Sequence, residues 1–277
     1  MAGNKLTIGK AFLYAVLIIA ASVTVYPFLW MVSASLKPLR EIVAGGFSLI
    51  SPDMSLDNYF YIFGRSSLFP RWFLNSFMIS IIGTFINIFL NTMAGYSLSR
   101  LDYPGRNQLF FLIMALLMVP NQVLLIPNYL LLQQFGLLDS FSALILPSVV
   151  NIGNILLMRQ FFVNFPKDVE EAAGIDGLSR YGVFFRISMP LARTTISTQA
   201  IFVFMGFWNE FTKAMLYIKT DTKYTLTLGL QSFQSRNAGT AWHQVMAAAC
   251  ISILPVIIIY LIFNKYFLIG VRMDGEK

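Results

Sequence analysis

Charge is what this sequence has least of. Only 12% of its 277 residues are Asp, Glu, Lys or Arg, about half the roughly 25% of an ordinary soluble domain. A soluble fold of this composition would have too little charge to cover its surface. Sulfur and imidazole are scarcer still, with one cysteine, Cys250, and one histidine, His243. No disulfide can form within the chain, and the two residues alone cannot build a His/Cys metal site. Cys250 lies in an apolar run and reads as a small core residue. His243, beside Trp242 at the entrance to an apolar span, reads as an interfacial residue. A Walker A phosphate loop is missing too. Gly9-Lys10 has neither the upstream glycine at the right distance nor a following Ser or Thr. No Ser/His/Asp arrangement for hydrolysis is present. The expectation is a chain without catalytic residues, metal or cofactor. Its net charge of +7 is scattered over loops, which argues against a nucleic-acid partner and fits signals of membrane topology.

What is present is apolar: 57% of residues are hydrophobic and 15% aromatic. A spanning helix needs about 20 predominantly apolar residues. Six segments qualify, at about 11–36, 72–99, 108–132, 140–162, 194–217 and 244–267. The fold class expected is an all-α polytopic membrane protein with six transmembrane helices, in contact with membrane lipid. The first run is too long for the roughly 7–15-residue core of a secretory signal, so it is expected to stay in the protein. Pro120 and Pro127 interrupt the third span and Pro255 the sixth, which is tolerable where neighbours satisfy the freed carbonyls. Arg159 falls near one end of the fourth, and Glu210 with Lys213 intrudes on the fifth.

Six crossings put both termini on one side. With the N-terminus (1–10) inside, the inner connections hold Lys5, Lys10, Arg100, Arg106, Arg159, Lys167, Arg180, Arg186, Arg193, Lys265, Arg272 and Lys277. The outer ones hold Lys37, Arg40, Arg65, Arg71, Lys213, Lys219, Lys223 and Arg236, mostly in the two long connections 37–71 and 218–243. Basic residues in short loops set orientation and long translocated loops count less, so both termini are expected in the cytoplasm. The outer connections carry packing residues, Asn58-Tyr59-Phe60 and Trp242 among them, and are long enough to reach an extracellular partner.

The inner connection 163–193 contains a polar island in this apolar chain. Pro166 is suited to open a helix at its first turn. Asp168, Glu170 and Glu171 follow where negative charge favours a helix start. Ala172 and Ala173 are strong helix formers of little bulk, so the helix can approach another surface closely. Gly174 and Gly177 then break or bend it. Ser179 or Asp176 can cap a second helix over 180–188, with Phe184, Phe185 and Ile187 holding it down. The pattern predicts two short helices at an angle across the cytoplasmic face. Physics alone leaves open whether they serve a partner or merely lie at the interface.

The residues of this island carry a resemblance. Glu171-Ala172-Ala173, Gly177, Ile187 and Pro190 stand at the spacing of the "EAA" loop of permease subunits in ATP-binding-cassette importers, with Met189 where leucine is usual and Thr194 where a second proline often stands. Asp176-Gly177 is similar to the Asp-Gly of sugar permeases. The likeness extends along the chain through Ser35-Leu36-Lys37, Trp208-Asn209-Glu210-Phe211, Thr225-Leu226-Thr227-Leu228-Gly229-Leu230 and Tyr266–Val271. It resembles the shorter, six-span permease of the maltose/multiple-sugar class, possessing Met273-Asp274-Gly275-Glu276-Lys277 in place of the usual Gly-Ala-Val-Lys-Gly tail.

That resemblance implies a type I importer permease fold and a non-catalytic subunit in a bacterial inner or plasma membrane. A second homologous permease would complete the pathway, two copies of an ATP-binding subunit would dock inside, and an extracellular or periplasmic sugar-binding protein would deliver a carbohydrate. ATPase coupling would fall to Glu171, Ala172, Ala173, Asp176, Gly177, Ile187 and Pro190. Leu228, Gly229, Leu230 and Gln231 would meet the binding protein. Asn87, Asn91, Asn121 and Asn154 are candidates for the substrate pathway, with Asn75, Gln122, Asn151 and Gln199 as further polar positions that serve equally as interhelical glue. By the same likeness the sugar lies chiefly against the longer permease. Glu210 and Lys213 read as a mutual ion pair at the outer interface. The rival class is an ion-coupled secondary transporter, which calls for a repeat or a mid-span acid. Neither is evident in the sequence. A membrane-embedded enzyme is a third reading, without a catalytic cluster to support it.

Overall fold

The computed structural model describes residues 8–45, 48–64, 68–235 and 239–274. Lys5, Arg65, Arg236 and the tail end 275–277, invoked above, lie outside them. In chain order the helices are α1 Ile8–Ser35, α2 Leu39–Val43, α3 Asp57–Ile62, α4 Phe69–Arg100, α5 Arg106–Leu116, α6 Leu125–Gln134, α7 Phe141–Ile145 and α8 Ile152–Asn164. There follow α9 Lys167–Ile175, α10 Arg180–Val183, α11 Met189–Leu191, α12 Arg193–Trp208, α13 Thr212–Tyr217, α14 Leu226–Gln231 and α15 Trp242–Asp274. The only strands among the described residues are two-residue pieces, Gln234–Ser235 against Gly239–Thr240, so the all-α expectation holds.

The chain divides into two compact units, residues 1–70 with 230–254 and residues 71–229 with 255–277. In the first unit α1 is apolar along most of its length and largely exposed, with burial confined to Ser33, Ala34 and Ser35 at its C-terminal end. Its C-terminal end is held by hydrogen bonds. Ser33 Oγ donates to the Leu49 carbonyl at 2.6 Å, and the Ser35 and Tyr59 hydroxyls meet at 2.7 Å. Asn58 Nδ2 donates to the carbonyls of Ser35 and Lys37. The buried Lys37 ammonium donates to the Ser48 carbonyl. Ser35-Leu36-Lys37 is thus a clasp. It gives the last carbonyls of a long helix their partners and folds the following connection back on itself.

In the second unit α4 is built inside out relative to a soluble helix. Its buried stripe runs through Asn75, Ser76, Ile79, Ser80, Gly83, Thr84, Asn87, Asn91, Thr92 and Gly95, while Leu74, Phe77, Met78, Ile81, Ile82 and Phe85 are exposed. In lipid an apolar side chain gains nothing by facing another helix, so interfaces select small residues and hydrogen-bonding groups. The period of 3.6 is the same as in water, with the polarity of the two faces reversed. At Gly83 an added Cβ would lie 2.6 Å from the Phe207 ring, so α12 crosses α4 there at close range.

Three of the expected spans are continuous helices long and apolar enough to cross a membrane: Phe12–Ser35, Phe69–Arg100 and Trp242–Phe263. The other three are broken. Arg106–Leu116 and Asn121–Gln134 meet at 93°, and Phe141–Ser148 and Ile152–Asn164 at 44°. Pro120 makes the first break because its fixed φ and missing N–H end the helical ladder. Pro127 sits in the first turn of α6, where its lost N–H is not needed, so it breaks nothing. The expected fifth span, 194–217, holds α12, only 16 residues and not among the helices long and apolar enough to cross, followed by α13 after an interruption at 209–211. At 1.5 Å per residue α12 is about 24 Å long, short of the roughly 30 Å hydrocarbon core.

Connections distant in sequence meet at the two ends of this unit. At one end Trp72 Nε1 donates to the Asp221 carbonyl, Asn75 Nδ2 to those of Thr222 and Tyr224, and Ser76 Oγ accepts from Leu226 N. There too Asp139, in left-handed backbone at φ 58°, accepts from the N–H groups of Lys219 and Thr220, the Thr220 hydroxyl and the Lys223 ammonium. Hydrogen bonds to its charged form, that of the Thr220 hydroxyl foremost, hold the Asp139 carboxyl well below the usual carboxylate range. A depressed pKa means stability present above the unfolded value and lost as pH falls through the folded one. The clamp is therefore constant across neutral pH and weakens only in strong acid, from about pH 4 downward. Asp139→Ala should raise amide hydrogen exchange at Lys219 and Thr220 by tenfold or more at pH 7. Unchanged protection would show that the connection holds itself.

Candidate functional site

The connection 163–193 folds as two short helices joined by a sharp turn. Pro166 caps α9, with Asp168 and Glu170 in its first turn. The break falls at Gly177, which has φ +89°, a conformation open to glycine at little cost. Leu178 N donates to the Ala173 carbonyl and Gly177 N to that of Gly174, the paired bonds of a Schellman turn. Gly174, the other glycine expected to bend the chain, lies inside α9 with open space around it. Ser179, not Asp176, caps α10 by accepting from Gly182 N. The second helix is not regular over 180–188. It passes through a π-turn at Phe184–Ser188 and resumes as α11. Phe184 is buried, whereas Phe185 is exposed and stacks along Phe89.

Glu171, Ala172, Asp176 and Gly177 face outward, Pro190 is exposed, Ile187 is half-buried and Ala173 is turned inward. At the tip stand two apolar side chains, Ile175 at 86% exposure and Tyr181 at 76%. A groove of about 340 Å³ runs beside α9, with Glu171, Lys167 and Arg180 on its walls.

The carboxylate that ties this element to the helix bundle is Glu170, which motif spacing did not single out. Its Oε2 lies 3.4 Å from Arg100 Nε at the end of α4, with the side chains 4% (Arg100) and 12% (Glu170) exposed. The contact is an ion pair without hydrogen-bond alignment, since Arg100 Nε has no bonded acceptor. Arg100 also donates to the Phe165 carbonyl, and Glu170 Oε1 accepts from Ser188 Oγ at 2.7 Å. One carboxylate thus joins α4, α9 and the π-turn. Two adjacent glutamates on a helix point about 100° apart, so only one can face the bundle. Burial separates them, and no sequence signal does.

A second polar region lies near the middle of α4. Asn87 Nδ2 donates to the Ser148 carbonyl at 2.9 Å, Asn91 Nδ2 to that of Val149 at 3.0 Å, and Asn151 N to Asn91 Oδ1 at 3.0 Å. Asn154 Nδ2 donates to Asn87 Oδ1 at 3.0 Å. These bonds satisfy the backbone groups released by the break at 149–151. Glu210 Oε1 accepts from Lys213 N at 2.9 Å, and the Lys213 ammonium lies 3.7 Å from Glu210 Oε2 and donates to Ser148 Oγ at 2.7 Å. The expected ion pair exists, and it lines a cleft with Asn87, Ser148, Asn151 and Asn154. Glu210, expected to intrude on the fifth span, stands at the helix break beside that cleft. Asn121 and Gln122 line an adjoining lobe.

Of the four positions expected at the outer partner, two are enclosed. Leu228 is 7% exposed, and Gly229 is pressed against Trp72, whose ring lies 2.2 Å from where a Cβ would be. Leu230 is half-buried and Gln231 is exposed. Of the further polar positions, Asn75 is tied to the connection 218–243 through the Thr222 and Tyr224 carbonyls, and Gln199 is buried with neither amide atom bonded.

Residues 91–272 match the family of binding-protein-dependent transport system inner membrane components, and the chain belongs to it. It is 32% identical over 274 residues to the arabinooligosaccharides transport system permease protein AraQ of Halalkalibacterium halodurans, covering 98% of this chain and 95% of that protein. It is also 32% identical to the polygalacturonan/rhamnogalacturonan transport system permease protein YtcP of Bacillus subtilis, over 96% of each. Its fold is similar to a crystal structure of a bacterial ABC transporter involved in the import of the acidic polysaccharide alginate, with a TM-score of 0.83, 24% identity and coverage of 96% of this chain and 99% of that one. The chain is thus a non-catalytic permease subunit of an ATP-binding-cassette importer in the bacterial inner membrane, working with a partner permease, an ATP-binding subunit and a binding protein.

Proposed function

We propose that the chain forms half of the translocation pathway of a carbohydrate importer and passes ATPase closure to its helices through α9 and α10. Relatives named for arabinooligosaccharides and for polygalacturonan support a saccharide cargo. The observation that carries the mechanism is the two-sidedness of α9. Glu171, Asp176 and Ile175 project outward, while Glu170 anchors the opposite face to Arg100. A helix pair gripped from behind and bare in front transmits a push as a lever. Two copies of the ATP-binding subunit would take the inner face of this chain and its homologous partner, with Glu171 paired to a basic residue of the ATPase. The spans would rock between inward- and outward-open states, a population shift driven by differential binding.

Six crossings with both termini cytoplasmic fit the way connections gather. The inner connections meet through Arg100, Phe165 and Glu170. The start of α4, Asp139 and 219–226 meet at the other end. On the outer side Gln231 is the exposed residue through which the binding protein would be felt. Glu171→Lys should insert and assemble normally while uptake per ATP hydrolysed falls about tenfold, equivalent to about 1.4 kcal/mol of lost coupling. The assay is uptake and phosphate release in the same vesicles holding the reconstituted complex. Normal uptake by that variant would remove Glu171 from the mechanism. Wild-type uptake that followed an ion gradient and ignored ATP would instead support a secondary transporter.

A further inference from the structure

Two helix breaks, at 149–151 and 209–211, and the turn that follows Pro120, with Asn121 and Gln122, border the same place. The lobe of about 260 Å³ beside α4 and the lobe of about 330 Å³ beside the Pro120 break share Ser148, Asn151, Glu210 and Lys213. Together they fall in the roughly 300–1,000 Å³ range of small-molecule sites. Irregular backbone at membrane depth is tolerated only inside protein or beside a water-filled cavity, and discontinuous helices recur at transport sites. Asn87, near the middle of the 32-residue α4, sets the depth of the cleft.

Hydrogen-bond capacity sorts the polar groups around it. Asn87 and Asn91 are committed to the break at 149–151 through both amide atoms. These bonds hold its shape, and Asn87 also lines the cleft. Glu210 and Lys213 are about one-quarter exposed and retain capacity toward the cleft. The ammonium has three donors and the carboxylate about four acceptor positions, of which the contacts named above use only part. Asn151 is exposed and uses its Oδ1 on Asn154 N, leaving its amide NH₂. Phe202 adds an exposed aromatic face. Donors, acceptors and a ring face suit the alternating hydroxyls and C–H faces of a sugar. One acid, one base and amides give the cleft no net charge, so it offers no electrostatic preference for an anionic or cationic guest.

We propose that Glu210, Lys213 and Asn151 form a saccharide contact site on this subunit and that the guest is an uncharged oligosaccharide segment, not a uronate. This rests on the carbohydrate-importer reading and deepens it. The charged pair acts as a matched acceptor and donor for sugar hydroxyls, and Lys213 keeps Ser148 and the 149–151 break in place while doing so.

The test uses the full complex with its binding protein in vesicles. Uptake is measured from an arabinan digest, which is neutral, and from a polygalacturonan digest, which is acidic. Neutral oligosaccharides should be taken up in preference. Glu210→Gln keeps an oxygen to cap Lys213 N–H but loses the charge, and Lys213→Met keeps the stem. Each should raise KM for uptake about tenfold with a smaller effect on maximal rate, and Lys213→Arg should restore most of it. Complex yield on size exclusion separates this from misfolding. Preferential uptake of the acidic digest, or an unchanged KM in both variants at normal yield, overturns the proposal. Wild-type uptake without ATP dependence refutes the importer reading instead, so the two failures are distinguishable.

Discussion

Arg100→Ala is expected to release the helix pair α9 and α10 from the bundle. The variant would leave the Glu170 carboxylate buried beside an apolar hole, with Ser188 Oγ as its remaining partner. Removing one member of a buried ion pair costs about 3–5 kcal/mol, because the survivor stays desolvated without its counter-charge. Against a total stability of about 5–15 kcal/mol, that is a large fraction. The loss is local, since the groups concerned sit where α4, α9 and the π-turn meet. Glu170→Ala should behave like Arg100→Ala, and the double substitution to Met at both positions should recover most of the stability, because a buried pair can be replaced by apolar side chains at little cost. It should not recover transport, since Met offers Ser188 nothing to bond and α9 can slide. Uptake should fall at least tenfold in all three variants, while heat resistance of the assembled complex falls only in the two single ones. If the double variant transported normally, shape alone would position α9 and the Glu170 bridge would be incidental.

Gly95→Ala carries the second large effect. A Cβ on Gly95 would lie 2.7 Å from Met158 Cβ, 2.8 Å from Arg159 N and 2.9 Å from the Ile155 carbonyl oxygen. Two of these are backbone atoms of α8, so no rotamer change relieves the clash and the helices must separate. Overpacking of this kind costs about 1–3 kcal/mol. Separation would also disturb the cluster of Tyr96, Met158, Phe162, Phe184 and Ala192 that seats the π-turn. Reduced thermal resistance and weaker coupling are expected together. Gly174→Ala is the control. Gly174 lies in α9 with nothing within 4 Å, and Ala there should gain about 0.5–1 kcal/mol of helix stability. Equal effects of the two substitutions would show that helix propensity outweighs the close approach.

The two glycines show how much of this protein is legible from sequence. Gly174 and Gly177 looked equivalent as helix breakers, and only Gly177 takes the left-handed conformation that ends α9. Helix endings depend on which carbonyls the next residues can reach, and Leu178 closes the turn by reaching Ala173. Glu170 and Glu171 likewise differ by one position and by which of them faces Arg100. The fifth span was readable as a 24-residue apolar run from 194 to 217, but its interruption at 209–211 was not, because Asn209-Glu210-Phe211 breaks no helix by propensity alone. The break persists because Glu210 caps α13 and its carbonyl accepts from Thr227 Oγ1, a residue 17 positions away. Leu228 and Gly229 read from sequence as partner contacts, and their burial depends on residues far earlier in the chain, Ile79 in the cluster that holds Leu228 and Trp72 against Gly229.

The sequence by itself determined the class of environment, the helical fold and the family. A composition with this little charge can be stable only in lipid, where the backbone must satisfy itself in helices. The spacing from Glu171 to Pro190 is local information along the chain, and so are the caps at Pro166 and Ser179. Tertiary structure alone decided which polar residues hold the bundle together and which face an open space. Asn87, Asn91, Asn121 and Asn154 are the same chemical group in the sequence. Two of them are spent on the carbonyls of a broken helix, and that division rests on distances between segments 58 to 67 residues apart. No periodicity within one segment encodes such distances.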